Sequence, residues 1–80
     1  MNTVLLAGDI DDLYSTGTQY FVRVKVDEEI IEIELWSKIY YVLLEKPFDT
    51  PIAVKGYLRV SNEGLLTIMA EQVSIITQKP

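Results

Sequence analysis

Apolar and polar residues alternate along most of this chain with a period of two, the spacing of strands with one buried face. The alternation is cleanest from Tyr20 to Val26, with Tyr20, Val22, Val24 and Val26 on one side and Phe21, Arg23 and Lys25 on the other. It resumes after a polar tip at Asp27, Glu28 and Glu29, where Ile31, Ile33 and Leu35 are set against Glu32, Glu34 and Trp36. These two runs predict a hairpin. After Pro51, Val54, Gly56, Leu58 and Val60 face one way and Lys55, Tyr57 and Arg59 the other. Asn62, Glu63 and Gly64 then mark a turn, and Leu66, Ile68 and Ala70 open a last strand that runs past Val73 to Ile76. The first strand is short, Thr3 to Ala7. Gly8 with Asp9, Asp11 and Asp12 reads as a solvated loop, because the glycine and distal glutamate of a calcium loop are missing. Between Ser37 and Lys46 the period changes. Ile39, Val42 and Leu43 fall at helical spacing, Ser37 is a candidate cap, and Pro47 stops the helix.

Keeping apolar side chains on one face suggests a hairpin register with Val26 facing Ile31, Val24 facing Ile33 and Val22 facing Leu35. The other face then pairs Lys25 with Glu32, Arg23 with Glu34 and Phe21 with Trp36, combinations that stabilise antiparallel neighbours. In the second hairpin, pairing Leu58 with Ile68 sets Lys55 opposite Glu71.

Three strands, one helix and two further strands give the order of an all-β, five-stranded OB-fold barrel, with the short helix between strands three and four. Eighty residues, 49% of them apolar, suffice for a single domain over 1–80. With no cysteine and no histidine, disulfides, thiolate chemistry and the common zinc sites are excluded, and a reducing cytoplasm is the expected location. No apolar run is long enough for a membrane helix. A core this small, without disulfide or metal, makes self-association the expected supplement. The formal charge of −5 is the wrong sign for a general phosphate binder, so any nucleic-acid site must depend on local placement of a few basic residues.

The run Met1-Asn2 with Val4, Leu6 and Gly8, then Leu35-Trp36-Ser37-Lys38, Val54, Gly56 and Leu58, and Ala70-Glu71 with Val73, resembles the bacterial single-stranded-DNA-binding protein family in a shortened form. The resemblance covers roughly the first ten residues and the second half of the chain. It implies sequence-independent single-stranded DNA binding in replication, repair and recombination. It also implies a homodimer or homotetramer assembled through the first strand, whose Asn2, Val4 and Leu6 would lie at the interface. The sequence departs from the family in three places. The hairpin between strands four and five is cut to a few residues, Ile30 stands where a stacking aromatic is common, and the chain ends in Thr77-Gln78-Lys79-Pro80 with no acidic tail to recruit partner enzymes.

Trp36 is the first candidate contact, a tryptophan on the polar face of a strand and so a stacking platform for bases. Alternatively, it and Phe21 cap the barrel or fill a subunit interface. Arg23, Lys25, Lys55 and Arg59, with Tyr57 among them and Lys38 nearby, are placed to follow a phosphate backbone. For Arg23 and Lys25, cross-strand ion pairs account for the same residues equally well. Weak binding through two or three phosphates is therefore expected. Glu32 and Glu34 share a strand face without the enclosed, differentiated surroundings of an acid–base pair. There is no glycine-rich phosphate loop or nucleophile motif. The sequence thus points to a non-catalytic binding module with no cofactor and no metal. Its partner is single-stranded DNA or, alternatively, a protein docked on the barrel's polar face.

Overall fold

The computed structural model describes residues 2–77; Met1 of the N-terminal motif and Gln78, Lys79 and Pro80 lie outside the described residues. The elements are β1 (Val4–Ser15), β2 (Tyr20–Val26), β3 (Glu29–Leu35), α1 (Ser37–Leu44), β4 (Pro51–Val60) and β5 (Leu66–Ile75). The strands close into a barrel in the order β1-β2-β3-β5-β4, with β4 returning to β1. Every pair is antiparallel except β3–β5, which is parallel through Ile33–Ile68 and Glu34–Met69. This is the expected all-β OB barrel with its helix between strands three and four.

The core follows the period-two reading. Val22, Val24, Ile33, Leu35, Ile52, Val54 and Ala70 point inward from the strands, and Tyr40 and Leu43 close the barrel from the helix. On the helix the apolar stripe turns further than its spacing suggested. Tyr40 is buried, whereas Val42 is half exposed. Ser37 does not cap; Trp36 occupies the N-cap in an extended conformation with no side-chain cap bond. Where β4 ends and β5 begins, the paired Val60 and Leu66 are exposed despite their inward phase.

β1 corrects the short-strand reading. Asp9, Asp11 and Asp12 belong to the strand, which pairs with β4 from Val4 to Asp9 and with β2 from Asp9 to Ser15. A register shift between Ile10 and Asp12 bends it from one neighbour to the other. A bulge leaves an extra residue unpaired and turns the strand, so an acidic residue there need not interrupt it. Ile10 carries the strand across the bend as a buried core residue. Its N–H donates to the Thr50 carbonyl at 3.0 Å, and the Asp49 N–H donates back to its carbonyl at 2.9 Å.

The β2–β3 register differs from the expected one by two residues: Val24 faces Ile31, Val22 faces Ile33, Arg23 faces Glu32 and Phe21 faces Glu34. The expected pairs Arg23–Glu34, Lys25–Glu32 and Phe21–Trp36 are not made. A slip of two leaves every side chain on its face, so alternation cannot detect it. The turn decides. Asp27, at φ 54, allows a two-residue connection in place of a longer polar tip. In the second hairpin Leu58 faces Ile68 as expected. A bulge between Lys55 and Gly56, however, sets Lys55 opposite Gln72 in place of Glu71. Gly56 is pressed against its neighbour here, and a Cβ would collide with the Met69 carbonyl.

Candidate nucleic-acid interface

The outer face of β2, β3, β5 and β4 forms a shallow groove between two tight loops. The loop after β1 is closed by its own hydrogen bonds: the Thr16 N–H donates to the Gln19 carbonyl at 3.0 Å and the Gly17 N–H to the Ser15 hydroxyl at 3.1 Å. In the loop between β4 and β5, the Ser61 N–H donates to the Leu65 carbonyl at 2.8 Å, and the Ser61 hydroxyl accepts from the Glu63 and Leu65 N–H groups. Both loops therefore frame the groove as fixed walls.

Three connected depressions make up the groove. The largest, of about 460 Å³, runs from Gln19 and Phe21 past Glu34, Arg59 and Thr67 to Asn62, Glu63 and Leu65. A second, of about 210 Å³, lies between Phe21, Glu32, Glu34, Leu66 and Thr67. The third, of about 300 Å³, has Trp36, Arg59, Glu34 and Met69 in its wall together with Thr18 and Gln19.

Trp36 is 58% exposed at the head of this third depression. Its position follows from chain geometry. Glu32, Glu34 and Trp36 share the outward phase of β3, and the Trp36 carbonyl accepts the first helical bond, from the Tyr40 N–H at 3.0 Å. The indole is thus anchored by its backbone while its ring stays in solvent. Phe21 lies half-buried further along, its ring stacked on Tyr14 at 5.0 Å between centroids, and the Arg23 guanidinium sits 5.0 Å above the Tyr14 ring. Stacked aromatics and a cation over a ring face are both favourable arrangements. Tyr14 was not anticipated because it fell beyond the predicted end of strand one; continuing β1 through the bulge brings it opposite Phe21.

The only ion pair among the described residues lies inside the groove. Arg59 Nη2 donates to Glu34 Oε1 at 2.6 Å, the two side chains being 43% and 12% exposed. It reaches across β5, since Glu34 borders Met69 on one side of that strand and Arg59 borders Thr67 on the other. Around it, Glu32 and Glu63 complete a lining of three carboxylates to one guanidinium.

The remaining predicted residues separate. Lys25 faces Asp9 and Ile30 near the β2–β3 turn, away from the groove. Lys55 lies over a different depression with Leu5, Ala7 and Ala53. Lys38 borders one formed by α1 and the end of β5. Alternation placed Lys25 and Lys55 outward, but a barrel has outward faces all the way round, and Lys38 sits on the helix. Tyr57 is opposite Met69 and adjoins the groove without lining its depressions. Beside Trp36, Tyr20, Tyr40 and Tyr41 form an aromatic cluster with centroids 5.0 to 5.9 Å apart. Hydrogen bonding to Tyr41 pushes the Tyr20 phenol above its ordinary value of 10.0, and the charge Tyr41 can itself carry adds to the effect.

Val4 and Leu6 lie on β1, and Asn2 just precedes it. The Asn2 side-chain amide pairs with Leu58 of β4, accepting its N–H at 2.9 Å and donating to its carbonyl, and so extends the β1–β4 ladder. Among the described residues, Val4 to Ala7 pair only with β4, which leaves their other edge open, and Leu5 is 73% exposed.

The sequence matches no family model and no curated protein. Solved structures share its fold at low identity. The asparaginyl-tRNA synthetase of Pyrococcus horikoshii, complexed with asparaginyl-adenylate, matches at TM-score 0.76 and 15% identity over 92% of this chain and 19% of its own. A replication protein A heterotrimer bound to single-stranded DNA matches at TM-score 0.73 and 13% identity, over 98% of this chain and 60% of the other. OBody NL8 bound to hen egg-white lysozyme matches at TM-score 0.76 and 17% identity, over 99% and 98%. This chain therefore spans about a fifth of the synthetase chain and three fifths of the replication protein A chain, and its OB fold is shared with all three. No helix among the described residues is long and apolar enough to cross a membrane.

Proposed function

We propose that this protein binds single-stranded DNA along the groove without reading a sequence, by stacking bases on Trp36 and on the Phe21–Tyr14 tier. The observation that carries this reading is the exposed indole. A large ring left 58% in solvent beside a guanidinium is a stacking platform of the kind that serves any base, because every base has a π-face. Arg59 in the groove wall and Arg23 over the Tyr14 ring are the phosphate contacts that this face can offer. With about two phosphates neutralised at about −0.7 each, the log–log salt slope is about −1.4. Binding is weak at physiological salt, and the protein is a binding module without a catalytic step.

The order of motifs from Met1-Asn2 to Val73 supports kinship with the bacterial single-stranded-DNA-binding proteins, and with it a place in replication, repair or recombination in the cytoplasm. The open edge of Val4 to Ala7, with Leu5 exposed above it, supports homo-oligomers through β1, because an unpaired apolar edge favours a second strand. Light scattering tests this; a monomer at high concentration refutes it.

A second reading has its own observation. Arg59 is already engaged by Glu34 and the groove lining is net acidic, so a neutral or basic protein surface also suits it. That the OB-fold neighbour OBody NL8 is bound to lysozyme supports this use of the fold. Titration with a mixed-sequence oligonucleotide at low salt, followed by the fluorescence of Trp36, separates the two. Quenching reversed by salt is expected. No quenching at tens of micromolar folded protein would overturn the DNA reading in favour of a protein partner.

A further inference from the structure

β5 is paired on both sides over only part of its length. β3 borders it at Ile33–Ile68 and Glu34–Met69, then leaves the sheet at Leu35 to start α1. β4 follows it throughout, from Leu66 to Ile75, and the Ile76 N–H continues that side by donating to the Pro51 carbonyl at 2.9 Å. From Gln72 to Ile75 the other edge of β5 therefore has no strand partner among the described residues. Unpaired main-chain donors and acceptors along an edge are a template for one further strand.

Beside that edge lies a depression of about 230 Å³ between β5 and α1, walled by Ile39, Val42 and Leu43 of the helix and by Val73 and Ile75 of the strand. Its origin is the same departure of β3. Val73 and Ile75 keep the inward phase, opposite Val54 and Ile52, which are buried. Ile75 is nevertheless partly exposed and Val42, across the gap, is half exposed, because no strand covers them. The gap is smaller than a small-ligand pocket of about 300–1,000 Å³, but it admits side chains of an extended chain. Lys38, in the first turn of α1, is the one charged residue of the lining and stands at one end of it. None of these residues lines the groove of Trp36 and Arg59.

We propose that the gap between β5 and α1 is a separate binding site that takes the C-terminal end of an extended peptide. The peptide adds a strand to the free edge of β5, an aliphatic side chain enters the gap against Val42 and Ile75, and the terminal carboxylate meets the Lys38 ammonium. Three features select this occupant. The strand edge is satisfied by backbone, which only an extended chain supplies. The aliphatic walls call for an apolar side chain, and main-chain bonds combined with side-chain pockets are how strand addition joins affinity to selectivity. A single positive charge at one end of the gap, in a chain of net charge −5, favours one terminal carboxylate over an acidic run, which the rest of the surface repels.

The probe is an acetylated hexapeptide of alternating threonine and valine that ends in a free valine carboxylate. It is titrated into the isotope-labelled full chain and followed by backbone amide chemical shifts. Shifts are expected at Gln72 to Ile75 and at Lys38 and Val42, saturating with a Kd in the upper micromolar range. The same peptide with a C-terminal amide should bind about fourfold more weakly, the contribution of one exposed ion pair, and Lys38→Met should erase that difference. Val42→Gln, at an exposed helix position, should keep the native spectrum and weaken the acid peptide by about tenfold. No shifts at about 1 mM peptide, shifts confined to the open edge of Val4 to Ala7, equal binding of the acid and amide peptides by the parent, or undiminished binding by Val42→Gln each overturns the proposal. If the amides of Gln72 to Ile75 shift with protein concentration before peptide is added, a second copy of the chain occupies the edge and the peptide assignment falls. Oligonucleotide binding along Trp36 is unaffected by any of these outcomes.

Discussion

Replacing Trp36 by alanine separates folding from binding in one variant. The indole is 58% exposed, so roughly two fifths of its surface touches the protein; for a side chain of about 250 Å² that is about 100 Å². At about 25 cal/mol per Å² the packing lost is about 2.5 kcal/mol, a ceiling, since the unfolded chain also hides part of that surface. A chain of this length has about 4–12 kcal/mol of stability, so the variant stays folded, with a melting temperature lower by about 10–20 °C. Binding loses a stacked base, about 1–3 kcal/mol, or about 5- to 150-fold in Kd. Circular dichroism reports the first effect and anisotropy of a labelled mixed-sequence oligonucleotide the second, both well below the melting transition. A folded Trp36→Ala protein that binds within twofold of the parent would refute the stacking role. Trp36→Phe, which keeps a smaller platform, should fall between the two.

The other expectations concern the groove and its frame. Arg23→Ala should shift the log–log salt slope by about +0.7, the share of one phosphate on a single strand, read from titrations at several salt concentrations; an unchanged slope removes Arg23 from the phosphate path. Gly56→Ala drives a Cβ into the Met69 carbonyl. It should cost about 1–3 kcal/mol by overpacking, seen as a fall of about 10 °C in thermal denaturation; an unshifted transition would mean that the bulge yields freely. Tyr20 is held protonated by Tyr41. The associated stability is fully present below the phenol's ordinary value of 10.0 and is lost as pH rises through the elevated folded value. An alkaline absorbance titration should show one tyrosine ionising late in the parent and earlier in Tyr41→Phe.

The inside and outside of each strand were legible in the sequence because side-chain direction is a local property with a period of two. Val22, Val24, Ile33, Val54 and Ala70 are core residues for that reason, and Trp36 is exposed by the same alternation that places Glu32 and Glu34 outward. The closing helix was legible too, from the change of period after Leu35. Pairing was not, because a hairpin shifted by two residues keeps every face. Only the two-residue turn at Asp27 sets Phe21 against Glu34 and releases Glu34 from Arg23.

Tertiary structure alone assembled the groove. The acidic run after Gly8 reads as a loop in isolation, yet a bulged strand shared between β4 and β2 absorbs it and carries Tyr14 to Phe21. Arg59 meets Glu34 across β5, between residues 25 apart in sequence, and no local pattern records that meeting. Barrel closure also chose among basic residues that alternation had made equivalent, bringing Arg59 into the groove and sending Lys25 and Lys55 elsewhere. A strand's faces follow from its own residues, whereas which faces share one side of a closed barrel depends on register, bulges and the order of strands.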